Sequence, residues 1–272
     1  MQTQEDAPTD ARLARAVMEN WDALGRALAG RFGGAVTDDD RVFRYRTGLH
    51  SGFLNSVLRA DVAPDEVAAF ADEQRAWFPD GLPWRWIVGP GSQPDDLVER
   101  LRALGFEARW SPMPAMAIDL AGFDAAAWTS PEAPVREVLD TAELEDWLSV
   151  RRLNLRLDER TIAAWRSAHG AQLGPGSTLR QFTGRLEGRP VANCTLSIDE
   201  AGGTAGIYHV DVLEDVRGRG FGRTVTAAAL GAAAALGCRL GVLSASPLGV
   251  PVYLRLGFRI VGTQQTFVGG GH

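Results

Sequence analysis

The sequence predicts an α/β protein made of two similar mixed-sheet halves. Three observations predict it. Segments of strand-like alternation and segments of helical spacing succeed one another along all 272 residues, a length that suits one large domain or two of ordinary size. The run Leu101-Arg102-Ala103-Leu104-Gly105-Phe106 is echoed by Tyr253-Leu254-Arg255-Leu256-Gly257-Phe258, each preceded by a strand, a turn and a helix start and followed by a strand. A repeat of that length points to two packed domains of one fold rather than a solenoid. Third, a strand ending near Leu213 turns through Gly218, Gly220 and Gly222 into a helix that opens at Phe221.

The first helix is expected over 11–32. Leu13, Val17, Trp21, Leu24 and Leu28 fall on one face, Arg12, Arg15, Glu19, Asp22 and Arg26 fall mostly elsewhere, and Thr9 or Asp10 can cap the start. Strands follow at 41–47 and 53–60. Ala63-Pro64-Asp65-Glu66 opens a helix that runs to Trp77, just before Pro79. A strand at 82–88 carries Trp84 and Trp86 in alternation, side chains suited to the core or an interface. Gly89-Pro90-Gly91 is a turn, 94–104 a helix with Asp95 and Asp96 in its first turn as the dipole prefers, and 115–120 a strand. The stretch 121–134 holds Gly122, Pro131 and Pro134 without periodicity and reads as a linker, giving domains at 1–128 and 134–272. The second half begins with a strand near Val135 and helices over 141–155 and 158–168. Strands are expected at 177–186, 189–198 and 204–213. After the glycine turn come a helix over 221–236, a strand at 238–245, a helix over 249–256 and a last strand at 259–268. The tail Gly269-Gly270-Gly271 is expected to be mobile. Arg151, Arg152 and Arg156 could face a substrate, but read first as a solvated helix face.

Composition narrows the function. A formal net charge of −6 argues against a nucleic-acid or anionic-membrane partner. The apolar helix around 226–236 is too short to span a bilayer. Cys194 and Cys238 lack metal-ligand spacing and read as reduced core thiols of a cytosolic protein, so neither a metal site nor a disulfide is expected. Glu5, Asp6 and Asp10 stand where a signal peptide would be basic and then apolar, which places the protein in the cytoplasm.

The glycine turn carries the chemistry. Closely spaced glycines let the backbone approach an anion, and the free N–H groups of the following helical turn face it with the positive end of the helix dipole. Arg223 stands where a dinucleotide-binding G-x-G-x-x-G would have its last glycine, and no G-K-[ST] of a Walker loop is present.

Arg217-Gly218-Arg219-Gly220-Phe221-Gly222, followed after a helix and a strand by Tyr253 four residues before Gly257-Phe258, resembles the GCN5-related N-acetyltransferase (GNAT) family, whose acyl-CoA signature is R/Q-x-x-G-x-G/A. The resemblance covers residues 134–272 well. It implies a tandem pair of GNAT-like domains, each a mixed, mostly antiparallel sheet flanked by helices. The first copy is degenerate, without a glycine turn and with Leu101 in the place of Tyr253. It implies acetyl-CoA as co-substrate, seated where two strands splay apart. The turn from Arg217 through Gly218, Arg219, Gly220, Phe221 and Gly222 to Arg223 would cradle the pyrophosphate, and the strand backbone at Val210, Asp211 and Val212 would hold the pantetheine arm and polarise the acetyl carbonyl. Ser246, seven residues before Tyr253, falls where many relatives place a cofactor-binding Asn. Tyr253 would be the general acid: a phenol with a pKa near ~10 can protonate a departing thiolate whose thiol has a pKa near ~8.5 when geometry is fixed.

The base stays open. Gly241 stands where many relatives carry a Glu, which leaves Tyr208, His209 and Asp211 on the preceding strand, or a water chain. In a regular strand Tyr208 and His209 face opposite ways. The expected reaction is direct acetyl transfer to a primary amine of a small molecule or peptide, with no covalent enzyme intermediate. The acceptor pocket would come from loops and an interdomain cleft, in a monomer or a homodimer. The alternatives are a non-catalytic acyl-CoA-binding regulator and a transferase that uses a longer acyl-CoA.

Overall fold

The apolar stripe of the first helix sets the fold's inner face. In the computed structural model, which describes residues 9–31, 34–130, 132–174 and 176–269, helix α1 (Asp10–Arg31) buries Leu13, Val17, Trp21, Leu24 and Leu28. Glu5, Asp6, Phe32, Pro131 and the tail glycines Gly270 and Gly271 lie outside the described residues. After α1 come β1 (Ala35–Asp38), β2 (Val42–Arg46), β3 (Asn55–Ala60), α2 (Val67–Trp77), β4 (Trp84–Val88), α3 (Leu97–Ala103) and β5 (Glu107–Asp119). The second half contributes β6 (Val135–Glu137), α4 (Thr141–Leu155), α5 (Glu159–Gly170), β7 (Leu179–Leu186), β8 (Arg189–Asp199) and β9 (Thr204–Val212). It ends with α6 (Phe221–Ala235), β10 (Leu240–Ser244), α7 (Val250–Leu256) and β11 (Arg259–Gly269).

The strands join one sheet in the order β1-β2-β3-β4-β11-β5-β10-β9-β8-β7-β6. Its two ends mirror each other. The pairs β3–β4 and β9–β10 are parallel, as expected for strands linked by a crossover helix, here α2 and α6; the other pairs are antiparallel. The echoed sequence runs become equal geometry. Gly105 and Gly257 both close their helices at positive φ (79° and 100°), and Phe106 and Phe258 both donate a backbone hydrogen bond five residues back, at 3.0 Å, to Leu101 and Tyr253. The strands that follow, β5 and β11, then cross over: β11 lies between β4 and β5, and β5 between β11 and β10. No cut in the 121–134 stretch separates the sheet into two without leaving each half holding the other's last strand.

Three segments depart from the sequence reading. Strand β5 starts at Glu107 rather than 115, because it pairs with β11 through a bulged ladder that tolerates Pro112 and Pro114. The expected linker is built into the molecule: a 3-10 turn at Ala125–Trp128 lies along α6, where Gly231 leaves room for Ala125 and the Arg223 guanidinium lies 5.3 Å from the Trp128 ring centre. Strand β1 is absent from the sequence reading altogether; its four residues alternate between partial burial and exposure, too short a pattern to stand out.

Helices α1, α4 and α5 cover one sheet face, and α2, α3, α6 and α7 the other. Trp84 and Trp86 sit in the core under α2 and α3, and both cysteines are free and buried. Helix α1 reaches across to the second half. The Asn20 amide donates to Thr204 Oγ1 (2.9 Å) and Ser197 O (3.3 Å), and Asn20 Oδ1 accepts from the Tyr208 hydroxyl (2.8 Å). Gly206 is required there, since a Cβ would collide with Asn20 Oδ1 and the Tyr208 ring. These shared strands and the α1 clasp leave no seam along which one half can melt alone. Differential scanning calorimetry is therefore expected to show one cooperative transition with equal calorimetric and van't Hoff enthalpies; two resolved transitions would contradict this account.

Candidate active site

Strands β9 and β10 run in parallel register from Thr204–Leu240 to Ile207–Leu243, and there the pairing stops. Residues 208–212 of β9 continue without a β10 partner, which opens a notch in the sheet. On its other edge β9 carries a bulge, with Thr195 opposite Tyr208 but Asn193 opposite Asp211. His209 occupies that bulge at φ 53°, the left-handed region in which a non-glycine residue is uncommon. The extra residue breaks the alternation assumed for a regular strand.

The glycine turn closes the notch. Gly218 and Gly220 adopt φ of 78° and 90°, Gly220 at the residue just before α6. Gly222 packs the first turn of α6 onto β9, where an added Cβ would stand 3.4 Å from Val212 Cγ2 and 3.9 Å from Val210 Cγ1. Val210, Val212 and the N–H groups that start α6 thus line one recess. Arg217 fixes the turn rather than pointing away: Nε donates to Val212 O (3.2 Å) and Nη2 to Asn154 Oδ1 (2.6 Å). Arg219 lies exposed beside Phe221. Arg223 Nε is buried without a partner, and Arg219, Phe221, Arg223 and Thr224 line a cavity of about 220 Å³ against Trp128 and Thr129. A buried donor without an acceptor beside an open helix start fits the phosphates of a CoA ester.

Tyr253 is buried on α7, its ring 5.7 Å from that of Phe258. Burial, then the neighbouring Cys194 and Asp211, push its phenol well above the ordinary range, so it holds its proton. Ser246 is exposed after β10, and its hydroxyl accepts from Gly249 N (3.2 Å), shaping the start of α7. Gly241 lies under α6, where a Cβ would meet Ile118 Cγ2 at 2.7 Å and Leu230 Cδ2 at 2.9 Å, so no carboxylate fits there.

Asp211 does not present a free carboxylate. Oδ2 accepts from Arg151 Nη1 (2.7 Å) and Oδ1 from Asn154 Nδ2 (2.8 Å), in a pair whose side chains are 2% and 7% exposed for Arg151 and Asp211. Arg151 therefore corrects the expectation of a solvated arginine face; Arg152 alone of the three forms an exposed ion pair, with Glu159. The signal for Arg151 was its helix position, since Trp147 and Asn154 lie four residues before and three after it on one face of α4.

His209 Nδ1 lies 3.1 Å from Thr195 Oγ1, and the ring meets Trp165 edge-on at 4.6 Å. Burial, Arg151, His169 and Arg85, in that order, hold its pKa well below the usual histidine value, so the imidazole is neutral. His169, sealed between Trp147 and Trp165, is lowered to about 3, by burial first and then by Arg151. Beside this group a cavity of about 180 Å³ opens between the halves, lined by His50, Ser51, Phe53, Arg151, Thr161 and Trp165 among others. Its first-half wall is rigid: buried Asn55 donates to the carbonyls of Leu49, Ser51 and Pro83 (2.9–3.0 Å) and accepts from Thr47 N (3.0 Å).

Residues 141–258, which hold α4 through α7, match the family model described as Acetyltransferase (GNAT) family. These residues form a GNAT domain. Likeness to GNAT structures extends over nearly the whole chain. A GCN5-related N-acetyltransferase from Kribbella flavida is 19% identical, with a TM-score of 0.63 over 92% of this chain and 96% of that one. One from Sphaerobacter thermophilus is 15% identical, with a TM-score of 0.59 over 97% and 94%. A tandem GNAT protein from the clavulanic acid biosynthesis pathway is 15% identical, with a TM-score of 0.57 over 94% and 95%. No curated protein matches in sequence. The mixed, largely antiparallel sheet flanked by helices is the GNAT fold, and the family's chemistry is acyl-CoA-dependent acyl transfer.

The Arg151–Asp211 pair makes a direct prediction. Asp211→Ala leaves a buried guanidinium without its counter-charge and is expected to cost about 3–5 kcal/mol of stability, while Arg151→Met combined with Asp211→Ala recovers most of that loss. Urea denaturation of the single and double variants checks both.

Proposed function

We propose that the protein transfers an acetyl group from acetyl-CoA directly to the nitrogen of a small primary amine, with residues 134–272 carrying the reaction and residues 1–128 walling the acceptor side. The observation that carries this reading is the glycine turn beside the unpaired edge of β9, with Tyr253 buried in the same core cluster as Phe221 and near enough to Asp211 to feel its charge.

The thioester supplies an activated acyl carbon and a thiolate leaving group. The N–H groups of residues 218–223 hold the pyrophosphate, aided by Arg223 and Arg219, while Arg217 braces the turn. The free edge of β9 at Val210–Val212 offers backbone N–H groups to the acyl carbonyl, where charge develops. A C–N bond forms and the C–S bond breaks; the nitrogen gives up one proton and the sulfur gains one. Tyr253 donates the proton to sulfur. Neutral His209, with Nδ1 oriented by Thr195, accepts the proton from nitrogen, and Asp211, committed to Arg151 and Asn154, positions β9. Ser246 shapes the start of α7 by accepting from Gly249 N, and its exposed hydroxyl still has a proton to donate to the co-substrate. Cys194 and Cys238 are too buried to serve as acyl carriers, and burial pushes both thiols up, which favours direct transfer.

Tyr253→Phe is expected to lower kcat about 100-fold while acetyl-CoA binding by calorimetry stays within about twofold. Gly220→Asp, which puts a carboxylate and a strained backbone in the cradle, is expected to abolish that binding. Wild-type turnover in Tyr253→Phe would remove Tyr253 from the mechanism, and full binding by Gly220→Asp would remove the cradle.

The pH profile follows from the two shifted groups. His209, held well below the usual histidine value, is neutral around pH 7, and Tyr253, raised above the usual phenol value, keeps its proton there. Neither produces a break near neutrality. The rise of kcat/KM with pH is therefore expected to track the acceptor amine, moving when acceptors of different amine pKa are compared. A fixed break near pH 6.5 in all of them would show a titrating His209.

A further inference from the structure

Three consecutive residues of β8, Asn193, Cys194 and Thr195, are fully buried and hold the bulge in β9. Between the pairs Thr195–Tyr208 and Asn193–Asp211, β8 spends one residue, Cys194, and β9 spends two, His209 and Val210. Each of the three β8 residues gives a polar atom to this irregularity. Thr195 Oγ1 lies 3.1 Å from His209 Nδ1, and the Cys194 carbonyl accepts from Trp147 Nε1 (3.1 Å). Asn193 Oδ1 accepts from the backbone N–H of Asp211 (3.1 Å), and Asn193 Nδ2 donates to the Trp147 carbonyl of α4 (2.9 Å). The position thus calls for one acceptor and one donor on a short stem. An amide supplies both; an ionised carboxylate or an apolar group of the same size does not.

The register that Asn193 fixes decides which N–H groups reach the notch. Along a strand, successive N–H groups point to opposite edges. Those of Asp211 and Leu213 both point to β8, to Asn193 Oδ1 and to Val191 O (3.0 Å). Those of Val210 and Val212 therefore point to the edge that β10 has left, where the Val212 carbonyl accepts from Arg217 Nε (3.2 Å). The Val210 and Val212 side chains lie toward Gly222 of α6, while the Asp211 carboxylate meets Arg151 and Asn154 of α4. Absorbing the extra residue would slip 210–212 by one place. The Asp211 N–H would then turn to the notch, the two valine N–H groups to β8, and all three side chains to the wrong face.

We propose that Asn193 is a positioning residue for acyl transfer: it holds β9 in the register that aims the N–H groups of Val210 and Val212 at the carbonyl of the acyl group. The proposal rests on the transferase reading, which places that carbonyl at the free edge of β9. Asn193 is 0% exposed and acts through the β9 backbone rather than by touching substrate. Its effect belongs to the step in which negative charge builds on the carbonyl oxygen, not to the hold on CoA, whose phosphates lie at the glycine turn.

The test uses the full chain. Acetyl-CoA isotope-labelled at its carbonyl carbon is bound without an acceptor, and its infrared carbonyl stretch is compared with that of the free compound. Turnover is followed as thiol release to hydroxylamine and to n-butylamine. In the wild type the stretch is expected to move to lower frequency. In Asn193→Ala that shift is expected to be lost and kcat to fall about 100-fold, while calorimetric affinity for CoA stays within about threefold. A second measurement needs no variant and decides the case if Asn193→Ala does not fold. In wild-type protein with isotope-labelled amides, exchanging CoA for acetyl-CoA is expected to move the amide proton of Val210 or Val212 downfield and to leave that of Asp211 in place. An unchanged carbonyl shift and kcat in folded Asn193→Ala overturn the proposal, as does a response at Asp211 in place of the valines. A carbonyl shift in the wild type with no thiol release to either amine leaves the register standing and sinks the transferase reading; turnover without any carbonyl shift does the reverse.

Discussion

The crossing of β5 and β11 is the constraint on which the molecule depends. Each strand completes the half that did not produce it, so the sheet is continuous and the two ends of the chain are locked together. The position of Tyr253 follows: α7 delivers it immediately before β11, and Phe258, whose ring it touches, opens that strand. The cavity follows as well. With β4 held against β11, the loop around His50–Phe53 and Pro83 comes to rest over α4 and α5. A first half without any glycine turn thereby supplies a wall of the site, and its Asn55 and Tyr45 spend their hydrogen bonds on holding that wall still.

Charge is the second organising theme. Asp211 draws Arg151 and Asn154 from α4, and Asn154 draws Arg217 from the glycine turn, so one chain of contacts runs from the cavity between the halves to the glycine turn. Arg151 and Asp211 are buried, so their ion pair is little screened by solvent, while half-buried Asn154 and exposed Arg217 carry the chain of contacts out to the surface. The aromatic rings of Trp147, Trp165 and Phe53 fill the space between, and their burial of the two histidines, reinforced by the positive charge of the neighbouring arginines, keeps both imidazoles uncharged.

Local features were legible in the sequence. The apolar face of α1 shows directly in its spacing, α4 begins at Thr141 because Asp140 caps it through Glu143 N, and the glycine turn is visible because only glycine suits Gly218 and Gly220. What was not legible depends on pairing between distant residues. The crossing of β5 and β11, the exposed start of β5 with its prolines, and the packing of 125–128 on α6 all require the partner to be in place. Arg151 reads as surface in one dimension because charge on a helix is usually solvated; its burial is decided by Asp211, sixty residues away. The His209 bulge likewise carries no sequence mark, since the residue in the left-handed conformation is not a glycine or asparagine.

The interleaved centre of the sheet also shapes how the chain finds its fold. Strand β11 must insert between two strands made long before it, so the decisive contacts are among the least local in the molecule, and refolding from denaturant is expected to be slow for its size. Until β11 inserts, β4 and β5 present open edges that any other β11 fits equally well. In a concentrated refolding mixture the competing product is a pair of chains that have exchanged their last strands, each native in every contact except its address.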